Sequence, residues 1–260
     1  MRLTFLGTGT SFGVPQIGCA CRACTSADPR DHRTRTAALI EVDGRRVLID
    51  TPPELRLQLV RARVDRVDAV LYTHAHADHV HGIDDLRAIS VKQDGGLPAY
   101  GPAETMTELS ARFAYIFDPT VRPPAGTSKP EMTAHPLEAG REVQVAGIAV
   151  TPIALPHGGQ VVFGYRAGAV AYLTDAKEIP GAARGLLRGV QVLVLNALLP
   201  RPHPLHLSIP EAVRAAQEIG ASRTFLTHLT HDSLHAELLR DLPPGIAPAH
   251  DGLVVEIPSS

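Results

Sequence analysis

Short apolar runs bounded by glycine, proline and charged residues recur along the whole chain, the pattern of many buried strands rather than of long helices. Residues 2–6 read as a first strand, broken at Gly7-Thr8-Gly9-Thr10-Ser11. A turn of this kind either offers backbone N–H groups to a phosphate or is simply tight, and the second is the commoner case. Residues 36–42 and 45–50 read as a hairpin across Asp43-Gly44, a two-residue turn signal. Pro52 and Pro53 suit a helix start, over 53–63. The run 68–72 reads as a buried strand, followed by a short helix over 83–90, a strand over 97–100 and a helix from Pro102 to about residue 115. Residues 117–133 are proline-rich and irregular, the composition of a flap or of a contact between two copies. The second half is strand-dense, with runs at 141–145, 148–155, 161–166, 169–174 and 191–195. Ser208, with Pro210 in the first turn and Glu211 three residues on, reads as the capping box of a helix to residue 219. A strand over 224–228 leads to a helix opened by Asp232, and 253–257 closes a sheet.

At 260 residues the chain is long enough for one large α/β domain or two small ones; we read it as a single domain over 1–260. No apolar run approaches the ~20 residues of a membrane span. The first residues are too strand-like for a secretory leader, so a cytoplasmic protein is expected. A net charge of -2 gives no electrostatic footprint for nucleic acid. The thirteen histidines are a high count, and their positions carry the chemistry.

The strand at 68–72 runs directly into Thr73-His74-Ala75-His76-Ala77-Asp78-His79. On extended backbone, residues two apart project to one side, so His74 and His76 can share a pocket. Asp78 and His79 follow as the chain turns, and can face a second point a few ångströms away. Imidazole with carboxylate suits zinc, manganese or iron, and adjacent donor groups suit a two-metal centre. Further candidates stand where other strands end: Asp50, His157, Asp175 and His228. An acidic residue placed as Asp50 is can orient a ligand histidine from behind, or cap the following helix. Cys19, Cys21 and Cys24 are all the cysteines of the chain. Three thiolates are one short of a closed zinc site, so a histidine is expected as the fourth donor; free thiols or a local disulfide are the alternatives. Arg22, Arg30, Arg33 and Arg35 surround that loop and read as a solvated basic face rather than as contacts to an anionic substrate.

With these residues placed, the sequence resembles the metallo-β-lactamase-fold hydrolases. His74, His76, Asp78, His79, His157, Asp175 and His228 stand in that superfamily's ligand order, and Asp50 matches its early strand-end aspartate. The resemblance covers nearly the whole chain. It implies an α/β fold, the αββα sandwich of two similar halves, with a dinuclear site at one edge. By the same resemblance His74, His76 and His157 hold one metal, Asp78, His79 and His228 hold the second, and Asp175 bridges them. Within the superfamily, Gly7-Thr8-Gly9-Thr10, Val14-Pro15 and the cysteine loop resemble the phosphoribosyl cyclic phosphate phosphodiesterases of phosphonate breakdown. That family carries a structural zinc on three such cysteines and on a histidine placed as His231 is here. It also has a histidine before the penultimate helix proposed to assist the leaving group; His206 is the best match and His203 the weaker one. The cysteine loop also occurs in a pyrroloquinoline-quinone biosynthesis protein of this fold, so it marks a branch rather than a substrate.

The function expected is therefore hydrolysis of a small cyclic phosphodiester by a hydroxide held between two Mn2+ or Zn2+ ions. Asp78 or Asp175 orients that nucleophile and His206 protonates the leaving alkoxide. The expected partner is a small phosphodiester, with neither membrane nor nucleic acid, and a homodimer fits the 117–133 segment. A tRNA 3′-end endonuclease of this fold is the main alternative. It usually carries a long arm between the ligands matching His157 and Asp175, whereas seventeen residues separate them here. A glyoxalase-type thioester hydrolase and a non-catalytic metal-binding module are the others. His32, His81, His135, His235 and His250 receive no role.

Overall fold

The ten residues Ile148–His157 alternate between buried and partly exposed side chains over most of their length, as a strand with one face against a core must. The same logic organises the rest of the chain. In the computed structural model, which describes residues 1–93 and 95–258, the strands form two seven-stranded sheets. The first takes β1 (Arg2–Gly7), β2 (Ala37–Val42), β3 (Arg45–Ile49), β4 (Ala69–Leu71), β5 (Leu97–Pro102) and β6 (Met132–Leu137). The second takes β7 (Val143–Val145), β8 (Ile148–His157), β9 (Gln160–Ala167), β10 (Val170–Leu173), β11 (Val192–Asn196), β12 (Arg223–Thr227) and β13 (Ile246–Pro248). A last strand, β14 (Val254–Glu256), returns to pair antiparallel with β1.

Both sheets begin antiparallel and end parallel. β1 to β3 pair antiparallel, then β3 to β6 parallel; β7 to β10 pair antiparallel, then β10 to β13 parallel. These are the two similar halves expected from the sequence. Between the sheets, Leu3, Phe5, Ile40, Ile49 and Leu71 meet Val150, Tyr165, Tyr172 and Val194. Each such side chain withdrawn from water contributes about 1.5–3 kcal/mol. The outer face of the first sheet is covered by α1 (Leu55–Arg61), α2 (Ala77–Val80), α3 (Arg87–Gln93), α4 (Ala103–Arg112) and α5 (Ala114–Phe117). That of the second is covered by α6 (Gly181–Leu186), α7 (Ile209–Ile219) and α8 (His235–Asp241). The result is the αββα sandwich.

Several local expectations need correcting. The helix expected to open at Asp232 starts at His235, because the Asp232 carboxylate accepts from the Thr230 hydroxyl at 2.7 Å and closes a turn instead. The helix after Pro102 breaks at Phe113, whose φ of -117° is not helical. The irregular stretch expected up to residue 133 gives way to the edge strand β6, which pairs parallel with β5. The N–H groups of Thr8, Gly9 and Thr10 all go to the carbonyls of Thr34 and Leu229, so that stretch is a tight turn and no phosphate cradle. Arg33 is not part of a solvated face: it is 2 % exposed and donates through Nη1 to Thr8 Oγ1 and the Ala249 carbonyl.

Candidate metal centre

The donor side chains gather at the carboxyl ends of the strands, where a sheet of this kind binds its ligands. β4 ends at Leu71 and the chain continues through His74 and His76 into the four-residue helix α2, which carries Asp78 and His79. Gly82 lets this turn lie against the loop after β3, since a Cβ there would stand 2.0 Å from the Pro52 carbonyl. Asp50, Asp175 and His228, each immediately or nearly after a strand, take left-handed φ of 62°, 59° and 58°. That conformation is sparsely populated for such residues and clusters where function demands it.

The histidines are oriented from behind. Buried Asp50 accepts from the Thr73 N–H at 2.8 Å, the Thr73 hydroxyl at 2.9 Å and His79 Nδ1 at 2.7 Å. With Nδ1 of His79 so engaged, its Nε2 faces the Asp78 and Asp175 carboxylates, 3.5 and 3.3 Å away. His157 Nδ1 is held by the Leu205 carbonyl at 3.1 Å, and Thr73 Oγ1 lies 2.9 Å from His74 Nδ1. His74 Nε2 then lies 2.9 Å from His76 Nδ1. On the far side His228 Nε2 is 3.2 Å from Asp175 Oδ1 and 4.0 Å from Asp78 Oδ2.

Three donor sets converge in this space: His74, His76 and His157; Asp78, His79 and His228; and Asp175 with His74 and His79. His206 joins His157 and Asp175 in a further group, its Nδ1 3.5 Å from Asp175 Oδ1. The electrostatics fit cations. Buried Nε2 of His79, both ring nitrogens of His228 and Nδ1 of His206 have no hydrogen-bond partner. Lone pairs converging on carboxylates in a dry site are costly unless a positive charge sits among them. Burial opposes charge on His79, yet Asp175, Asp78 and Asp50 push its pKa up to about 10. Burial likewise works against the Asp175 carboxylate, but His228, His79 and His74 hold it well below its usual range. At His206, burial and then the neighbouring His228 push the pKa down to about 3.

The cysteine loop meets His231 as expected. Cys19, Cys21 and Cys24 are free thiols whose sulfurs lie 3.3, 3.6 and 3.4 Å from His231 Nδ1. Tetrahedral bonds of ~2.3 Å to sulfur and ~2.0 Å to nitrogen require a spacing of about 3.5 Å. Burial pushes the Cys24 thiol up to about 11, whereas the Cys24 backbone N–H holds Cys21 below its usual value. A cation among the sulfurs favours the thiolate in all three.

Residues 45–229 match the family described as the β-lactamase superfamily domain. The chain belongs to this superfamily. A solved structure described as a new diphosphatase from the PhnP family is 39% identical, with a TM-score of 0.90, over 99% of this chain and 98% of that one. The octanoyltransferase of Porphyromonas gingivalis is 40% identical over 97% of this chain, and the ribonuclease Z of Bradyrhizobium diazoefficiens 28% identical over 72%. The chain spans only 51% and 57% of the length of these two relatives. Membership and the donor sets together support a metal-dependent hydrolase. Among the described residues, no helix is long and apolar enough to cross a membrane.

Sequence reasoning named every donor above, and Asp50 as a support, but missed the other supports. Thr73, Gln160 and the Leu205 carbonyl carry no donor signature of their own. The four arginines of the cysteine loop prove occupied: Arg22 pairs with Glu237, Arg30 with Asp28 and Arg35 with Glu54, besides buried Arg33. Of the unassigned histidines, His235 is 4 % exposed and donates its backbone N–H to Asp31 Oδ1, and His135 stacks on Tyr100.

Proposed function

We propose that residues 1–260 work as one dinuclear metal-dependent hydrolase domain that cleaves a small phosphodiester, of the phosphoribosyl cyclic phosphate type. The observation that carries this reading is the position of Asp175, whose two oxygens face His79 on one side and His228 on the other. His74, His76 and His157 would hold one cation, Asp78, His79 and His228 the second, with Asp175 between. Two divalent cations there, manganese or zinc, supply Lewis-acid charge at phosphorus and make water nucleophilic near neutral pH. Asp78, partly exposed at the mouth, orients the attacking water. Asp50 keeps the tautomer of His79 and Leu205 that of His157, so the donor lone pairs need no rearrangement as the reaction proceeds. His206, in the loop before α7, would give the departing oxygen its proton, which requires the charge of the bound substrate to offset the burial and the neighbouring His228 that keep its ring neutral in the free site. That loop is fixed by the capping box of Ser208 and Glu211, and Glu211 also pairs with Lys177 at 3.0 Å. Cys19, Cys21, Cys24 and His231 hold a structural zinc.

Most of the seventeen residues between His157 and Asp175 belong to β9 and β10 and the rest to short turns, which leaves no arm to grip a folded RNA. The relative described as a diphosphatase favours one second reading, hydrolysis of a phosphoanhydride in the same site. The test assays protein reconstituted with manganese or zinc on five substrates. They are a five-carbon-sugar cyclic phosphate, an aryl phosphodiester, a diphosphate ester, a pre-tRNA and an acyl thioester. Turnover of the diesters is expected. Turnover confined to the diphosphate favours the second reading, and efficient pre-tRNA or thioester cleavage without diester turnover sinks both.

A further inference from the structure

Five polar groups form a chain across the first donor set, and its outer end, Gln160, lies outside the loop over 74–79. Asp50 Oδ2 accepts from the Thr73 hydroxyl, so Thr73 Oγ1 accepts from His74 Nδ1 at 2.9 Å and leaves His74 Nε2 as a lone pair. That lone pair meets His76 Nδ1 at 2.9 Å, and His76 Nε2 meets the side-chain amide of Gln160 at 2.8 Å. Gln160 is the first residue of β9 and pairs directly with His157 at the end of β8. One hairpin therefore delivers both a donor and the outer partner of another donor. The hairpin is tied to the histidine loop by its backbone too, through Phe163 N–H to the Thr73 carbonyl at 3.0 Å.

Two polarities fit these distances. With its proton on Nδ1, His76 donates to His74 and its Nε2 accepts from the Gln160 amide NH₂. With Nδ1 and His74 Nε2 turned as lone pairs to one cation, the ring proton must sit on Nε2, and Gln160 must then present Oε1. One proton leaves Nδ1 for solvent and one arrives at Nε2, so the ring stays neutral. An amide can serve both polarities, by turning over about its last torsion. We infer that Gln160 is a positioning residue that fixes the tautomer of His76, its amide turning from donor to acceptor as the cation is taken up. The inference deepens the metal reading above and rests on His74, His76 and His157 being one metal's donors.

Gln160 is exposed, so its replacement leaves the fold intact. The experiment measures zinc affinity by chelator competition, with the cysteine site already filled, in the wild type, Gln160→Ala and Gln160→Glu. Nitrogen-15 NMR of the histidine rings reads the tautomer of His76 before and after zinc. Gln160→Ala is expected to weaken zinc binding about tenfold, the low end for an outer partner of a ligand histidine. It should also bring the His76 Nε2–H into fast exchange. Gln160→Glu, which only accepts, should bind zinc at least as tightly as the wild type and favour the Nε2–H form even before zinc is added. If wild type takes up zinc at the histidines but Gln160→Ala matches it in affinity and in ring signals, the assignment of Gln160 fails while the metal reading stands. If wild type takes up no zinc beyond the cysteine site, both fail. Neither readout depends on which substrate the enzyme prefers.

Discussion

Two metal-binding regions stand at the same end of the sandwich and are built on opposite principles. The cysteine site takes three soft donors from six consecutive residues and closes them with His231, so nothing is left over for a substrate. The histidine centre takes seven donors from four separated stretches, shares one carboxylate between its halves and sits on strained strand ends. A closed, local, thiolate-rich set suits the holding of loops; an open, shared, imidazole-rich set suits chemistry. The difference lies in donor type and connectivity more than in burial, since both regions are at least partly withdrawn from water.

The sharpest way to break the comparison is Asp175→Ala. Both cations of the histidine centre should be lost and hydrolysis should fall to background, while the cysteine zinc stays; elemental analysis with an activity assay checks it. Two tightly held cations and near-normal turnover in that variant would contradict the shared-carboxylate assignment. Next in size, His206→Ala should lower kcat by about 10² to 10⁴ on a substrate with an alkoxide leaving group, the usual span for a general acid. It should do little for an activated phenolate, which leaves unprotonated; equal losses on both would show that His206 positions or ligates instead. On the other side of the comparison, manganese reconstitution should leave about one zinc per chain, because thiolates select it. Cys21→Ser or His231→Ala should remove that zinc and lower the melting temperature with the histidine donors still in place. The smallest effect concerns pH. The pKa of His79, raised from its ordinary ~6.5 to about 10, stabilises the folded chain fully below ~6.5 and progressively less as pH rises through 10. Chelator-stripped protein should therefore lose thermal stability between pH 7 and 10 more steeply than zinc-loaded protein, where a cation replaces that proton. Parallel melting curves would count against it.

The contrast also explains what can be read from the chain. Donors announce themselves, because histidines two apart after a strand, or three cysteines in six residues, have few other uses. The sandwich follows from the strand-dense pattern and the resemblance. Hidden are the elements whose sequence argues against them: β6 contains Pro136, α6 contains Gly181 and Gly185, and β13 is only three residues long and ends in Pro248. Tertiary packing overrides weak propensity at such places. Also hidden are the supports, for a glutamine and a leucine carbonyl acquire meaning only when a distant part of the chain brings a histidine within 3.1 Å, and Thr73 only when Asp50 fixes the direction of its hydroxyl.

The path of the chain has a consequence for assembly. The polypeptide passes from the first sheet to the second once, between β6 and β7, and returns once, between β13 and β14. Each of the three proposed metal sites straddles that divide, His74 and His76 against His157, Asp78 and His79 against His228, the cysteines against His231, and of the groups described only His157, Asp175 and His206 lies wholly with the second sheet. A folding chain with one sheet formed owns none of the three proposed sites whole, so on that reading their cations would be captured tightly only as the two sheets dock. They act as latches on a closing seam. At a hundred times its dissociation constant a single latch adds about 2.7 kcal/mol to the closed form. On the proposed reading, the metal content of the surroundings would govern how long the two sheets stay together as well as the rate of hydrolysis.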